Sequence, residues 1–136
     1  MTERVMVSEI AGSWLRGSPD WAPAITTEFL WFAEDPLAVI LIFRSQEQWT
    51  FSRDLLIAGQ YALTGDGDVR IGPTEDTAGL YLLLRSPTGV AEFDLNGNVV
   101  AEFLHRTCEI VPVGAENYQI TADDWAELGK KWRWAW

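Results

Sequence analysis

QWTFSRDLLIAG, residues 48–59, changes periodicity partway along. Trp49, Thr50 and Phe51 are aromatic and β-branched types that favour a pleated strand. Ser52 then suits a helix N-cap, and Asp54 falls in the first turn, near the positive helix end. Leu55, Leu56 and Ile57 continue the helix, and Gly59 is placed to close it. A strand thus hands over directly to a short helix, and this strands-then-helix unit recurs along the chain, an α+β arrangement.

Working back from Trp49, VMVSEI (5–10), ITTEFLWF (25–32) and LAVILIF (37–43) read as strands. Turn-forming clusters separate them: Gly17-Ser18-Pro19-Asp20, Glu34-Asp35-Pro36 and Ser45-Gln46-Glu47. Working forward, the pattern repeats. DVRIGP (68–73), GLYLLLR (79–85) and GVAEFDL (89–95) read as strands, with Ser86-Pro87-Thr88-Gly89 suited to a type I turn. A second helix follows, with Asn98 as its expected cap. Val100, Phe103, Leu104, Thr107 and Cys108 fall on one face at i, i+3, i+4, i+7 and i+8. Thr121 and Asp124 form an acidic capping box for a C-terminal helix over 121–133, with Trp125, Leu128 and Trp132 as its stripe.

The expected architecture is one domain over 1–136, built from a strand-helix half at 3–61, a second at 68–111 and the C-terminal helix. Two such halves predict two packed antiparallel β-sheets with helices on one side. Sheets of this kind leave edges to be paired or covered, and oligomerisation is one way to do so.

Composition restricts function. Twenty acidic against ten basic residues give a net charge of −10, which opposes nucleic-acid phosphates and anionic membrane surfaces. The one cysteine, Cys108, excludes an intrachain disulfide and fits a reducing compartment. The N-terminus carries Glu3 and Glu9 and lacks the apolar run of a secretory signal. PLAVILIF (36–43) is far short of the roughly 20 residues of a spanning helix. A cytoplasmic protein is expected, meeting membranes only through partners.

Catalytic chemistry finds no convergent set. The one histidine, His105, stands on a helix with Cys108 on its apolar face, too few ligands for zinc. The paired carboxylates Glu34-Asp35, Glu75-Asp76 and Asp123-Asp124 sit in turns or at a helix start, where solvation or capping explains them. GDGDVR (65–70) invites a calcium loop, but counting from Asp66 places Arg70 and Ile71 where a ligand and glycine are required. A phosphate loop lacks its Lys and its helix, and the dinucleotide fingerprint has Arg70 in place of the third glycine. A turn launching a strand is left. No metal, no cofactor and no enzymatic activity are expected. The end KKWRWAW (130–136) admits single-stranded nucleic acid, a lipid interface, or packing and protein contact; the acidic total favours the last.

EDPLAVILIF (34–43), WTFSRDLLIAGQ (49–60), GDGDVRIGP (65–73), LLLRSPTGVAEF (82–93), FLHRT (103–107) and VPVGAE (111–116) occur in this order and at these spacings. Together they resemble the SsgA-like family of sporulation and cell-division regulators, from about Phe29 to Glu116. The resemblance implies a Whirly-like fold, a homotrimer and a non-enzymatic adaptor of the SsgB type. Such an adaptor helps place the division protein FtsZ at septa and works with other SsgA-like or septal proteins. The implied alternative is a Whirly-like binder of single-stranded nucleic acid. Motif positions carried over include Trp49, Arg53, Asp54, Asp68, Arg70, Gly114 and Glu116, with Trp132, Trp134 and Trp136 as added contact candidates. Arg53, Asp54, Asp68 and Arg70 are expected to form a charged network joining the first helix to the following strand.

Overall fold

The computed structural model describes residues 5–44, 47–65, 67–75 and 78–116. The C-terminal helix expected over 121–133, and with it Trp132, Trp134 and Trp136, lies outside the described residues.

Among the described residues, seven strands and two helices follow one another: β1 (Met6–Leu15), β2 (Ile25–Phe32), β3 (Asp35–Phe43), β4 (Gln48–Ser52), α1 (Arg53–Gly59), β5 (Val69–Pro73), β6 (Gly79–Ser86), β7 (Gly89–Asn96) and α2 (Gly97–Ile110). The strands-then-helix pattern thus occurs twice, and every strand pairing is antiparallel.

The expected two sheets are one. The strand order is β4-β3-β2-β1-β7-β6-β5. The two meanders join where β1 overruns its partner β2. Ser13, Trp14 and Leu15 pair with Leu95, Asp94 and Phe93 of β7, and the Arg16 N–H donates to the Glu92 carbonyl at 2.9 Å. Gly12 and Ser13 interrupt the β-rich pattern of β1, which hid its last residues from the sequence reading.

The single sheet is strongly curled. Two strands lie between β3 and β7, so a flat sheet would hold them about 14 Å apart. Phe43 of β3 and Phe93 of β7 instead meet with ring centroids 5.1 Å apart. Helix α1 contacts β3 and β4 at one end of the sheet and β5 at the other, closing the seam between the two edge strands. Such coverage is one of the ways a sheet edge is protected. Helix α2 packs on β1, β2 and β6, with Phe103 against Phe29 at 5.6 Å. Both helices contribute to the one buried cluster, through Leu56 of α1 and Val100, Phe103 and Leu104 of α2.

Local chemistry fixes the joints. Ser52 Oγ accepts the Leu55 N–H at 2.9 Å, as a cap should. Gly59 does not close α1; Gln60 does. Gly59 is needed for space instead, because a Cβ there would lie 2.4 Å from Ile71 Cγ2. The cap of α2 is Asn96 rather than Asn98, its Oδ1 accepting the Asn98 and Val99 N–H groups. Cys108 is half-buried rather than a core residue, and His105 is exposed beside Glu109 at 3.2 Å. Between β2 and β3 the register shifts at Leu30/Phe32. That irregularity accommodates Pro36, a residue confined to edges and bulges. Trp31 turns fully inward there and donates from Nε1 to the Pro36 carbonyl at 3.0 Å.

The described residues flanking Asp66 in GDGDVR are arranged as a turn requires. Thr64 and Ile71 exchange backbone hydrogen bonds across it at 2.8 and 3.0 Å, and Gly65 takes φ +99°.

Candidate docking groove and the buried Arg53–Glu116 pair

Arg53 opens α1 on the same face as Leu56 and Gly59, and all three are buried. Its guanidinium is 1% exposed and lies 5.7 Å from the Trp31 ring centre. Nη1 donates to the Val111 carbonyl at 2.7 Å and, at a longer 3.5 Å, to Thr107 Oγ1; Nη2 donates to Glu116 Oε1 at 2.9 Å. The second Glu116 oxygen accepts the Gly114 N–H at 2.7 Å. Gly114 has φ +89°, a conformation suited to glycine, and the Ala115 N–H returns to the Pro112 carbonyl at 3.0 Å. VPVGAE is therefore a turn that folds Glu116 back onto the start of α1. Burial pushes the Glu116 carboxyl up, but bonds from its own N–H, Arg53 and Gly114 outweigh it and hold the group below its ordinary range.

This geometry corrects the expected network. Arg53 turns away from Asp68 and pairs with Glu116. Arg70 donates from Nε to the Gly65 carbonyl at 2.9 Å, bracing the turn before its own strand. Asp54 and Asp68 are both exposed. They are brought together with Trp49 around a groove of about 520 Å³, walled by Leu55 and Ala58 of α1, Thr50 of β4 and Val69 of β5. Trp49 is half-buried, with Nε1 donating to Glu47 Oε1 at 3.2 Å. The groove is thus an apolar slot in the seam between the edge strands, bordered by two carboxylates.

A second constellation had no signal in the sequence. Arg16 donates to Asp94 Oδ1 from Nη2 at 2.8 Å and from Nε at 3.1 Å, and stacks 4.7 Å over Tyr81. The Tyr81 hydroxyl donates to Glu92 Oε2 at 2.5 Å. Burial, then this bond to Glu92, raises the Tyr81 pKa, whereas the bond to Asp94 raises that of Arg16. These groups line a wide cleft of about 960 Å³ beside the β1–β7 joint. Residues 78 positions apart make the central pair, so only the sheet topology reveals it. On the outward face of β1, Met6, Ile10 and Trp14 are exposed, Ile10 by 66%.

Among the described residues, Asp35 is the remaining perturbed group. It is buried at the start of β3, and its Oδ1 has no hydrogen-bond partner among the described residues. Burial, then the neighbouring charge of Glu34, pushes its pKa up to about 6. The folded protein therefore holds this proton more tightly than the unfolded chain. Its stability contribution is complete below the ordinary value of 3.8, declines as pH rises, and is lost above about 6. Asp35→Asn is expected to raise stability above pH 7 by about 1–3 kcal/mol, because a neutral amide costs less to bury. Urea unfolding at pH 4 and pH 7.5 checks it: the gain should vanish at the lower pH.

Comparison with known proteins follows the fold. The chain is 37% identical over 108 residues to the sporulation-specific cell division protein SsgB of Saccharopolyspora erythraea, covering 76% of this chain and 77% of the relative. It is 38% identical over 112 residues to SsgB of Thermobifida fusca, covering 77% and 81%. The crystal structure of an SsgA-like sporulation-specific cell division protein from Thermobifida fusca superposes with a TM-score of 0.78 at 33% identity, covering 97% of this chain and all of that one. An SsgB structure, described with mutations that correlate to longitudinal cell division during sporulation of Streptomyces coelicolor, gives 0.78 at 30% identity, covering 86% and 95%. Residues 25–116 match the family described as Streptomyces sporulation and cell division protein, SsgA, and the chain belongs to that family.

Proposed function

We propose that this protein is a non-enzymatic adaptor in sporulation-specific cell division, acting at septa by helping to place FtsZ. The observation that carries the reading is the match, over about three quarters of the chain, to relatives named sporulation-specific cell division proteins. The surface offers anchors for protein contact. Among the described residues no cluster of three or more His, Cys, Asp or Glu is placed to hold a metal. Exposed apolar side chains include Met6, Ile10, Trp14 and Trp21. Exposed aromatic and apolar side chains are the usual anchors of protein interfaces.

In the proposed assembly the chain is a homotrimer that meets FtsZ or another SsgA-like protein directly and a membrane only through partners. Among the described residues no helix is long and apolar enough to cross a bilayer. A net charge of −10 opposes the single-stranded nucleic-acid alternative. Co-sedimentation of the purified protein with FtsZ polymers at micromolar concentration is expected to show association. No association with FtsZ, and none with a second SsgA-like protein, would overturn the reading. Light scattering checks the trimer.

A further inference from the structure

We infer that the groove between β4, α1 and β5 is the seat of this chain's own basic, tryptophan-rich end, KKWRWAW (130–136). Three observations point there, and none depends on the septal reading. The first is the site. Its walls are apolar, with Trp49, Leu55 and Val69 presenting surface suited to flat aromatic groups. It lies in the seam between the unpaired edge strands β4 and β5, both of which α1 contacts.

The second is charge. Asp54 and Asp68 border the groove, both exposed. The segment 130–136 alternates Lys130, Lys131 and Arg133 with Trp132, Trp134 and Trp136, so cations and aromatic rings arrive together. Apolar walls with a carboxylate border complement both.

The third is position. The described chain ends at Glu116, clamped to Arg53. Asp54, which borders the groove, is the next residue of the same helix, so the described chain ends against the helix that forms one groove wall. Thirteen residues separate Glu116 from Lys130, and a chain of that length spans up to about 45 Å. The segment reaches its own groove without strain, at the high effective concentration of a tethered ligand. The Arg53–Glu116 pair is thus a positioning clamp for the chain that follows it.

Disulfide trapping tests this on the full chain. In a Cys108→Ser background, Ala58→Cys is paired with Ala135→Cys; Ala58 is an exposed groove residue. Ile10→Cys, exposed on the outward face of β1, replaces Ala58→Cys in the control. Mild oxidation is expected to give a cross-linked monomer with Ala58→Cys, at least tenfold faster than with Ile10→Cys. Adding Asp54→Asn and Asp68→Asn is expected to slow the reaction at least threefold at low salt. Thr50→Cys, on the opposite wall, gives the same reading should Ala58→Cys fail to fold. Equal rates in groove and control would overturn the assignment. So would cross-linking only between chains, which would give the groove to a neighbouring copy.

Discussion

Glu116→Ala is expected to destabilise the protein by about 3–5 kcal/mol, the cost of breaking a buried ion pair from one side. The Arg53 guanidinium is 1% exposed, and Glu116 is its only carboxylate partner among the described residues. Its Nε already lacks a partner among them. Removing Glu116 leaves the charge with a carbonyl and a distant hydroxyl. The same change frees the Gly114 N–H and loosens the VPVGAE turn. Guanidinium unfolding of the variant should show the loss as a lower midpoint. The control is Arg53→Met with Glu116→Ala. Once the stranded charge is gone as well, apolar burial beside Trp31 should recover much of the stability. A double variant no better than Glu116→Ala would show that the turn, not the charge, dominates.

Acid adds a second reading of the same pair. The Glu116 carboxyl is held below its ordinary value, so its contribution is present above about 4.5 and is lost as pH falls through the folded-state value. Asp35 runs the opposite way between 3.8 and about 6. Stability is therefore expected to rise on going from pH 7 to about 5, then to fall at lower pH.

Trp31→Ala is expected to cost a similar amount, about 3–5 kcal/mol, as a fully buried large side chain truncated in place. The effect has three sources: lost apolar burial, a Pro36 carbonyl deprived of its donor, and a guanidinium deprived of the ring beside it. Trp31→Phe helps to separate them, since it keeps an aromatic ring but loses the donor and part of the indole volume; about 1–3 kcal/mol is expected. Trp31→Ala and Arg53→Met should combine non-additively, because the two side chains touch. Strict additivity in a denaturation cycle would remove the ring–cation contact from the account.

The elements themselves were legible because they are local. β-branched runs between turn residues gave seven strands, and Ser52 with Asp54 announced α1. The joining of the halves was not legible, because it depends on three residues at the end of β1 meeting β7, a pairing that no local pattern encodes. The expected Arg53–Asp54–Asp68–Arg70 network failed for a reason within reach of the sequence. Neighbouring residues on a helix point about 100° apart, so Arg53 and Asp54 cannot both face the same strand. The spacing of Arg53, Leu56 and Gly59 marks the inward side. What could not be read was the partner: Glu116 lies 63 residues away. The groove bordered by Asp54 and Asp68 was half visible, since its residues were picked out individually but not as one slot.

The short β1–β7 ladder also sets an order of events during synthesis. Ser13 and Leu95 lie 82 positions apart, so the middle of the sheet unites one of the first strands made with one of the last. Until β7 leaves the ribosome, the meander of β1 to β4 has β1 as a bare edge with Met6, Ile10 and Trp14 along it. Closing so long a loop is entropically slow, and waiting strand edges are the surfaces through which nascent chains aggregate. This fold's most vulnerable moment is thus its own half-finished translation, when the surface at risk is the β1 edge rather than the edge strands that α1 covers in the finished protein.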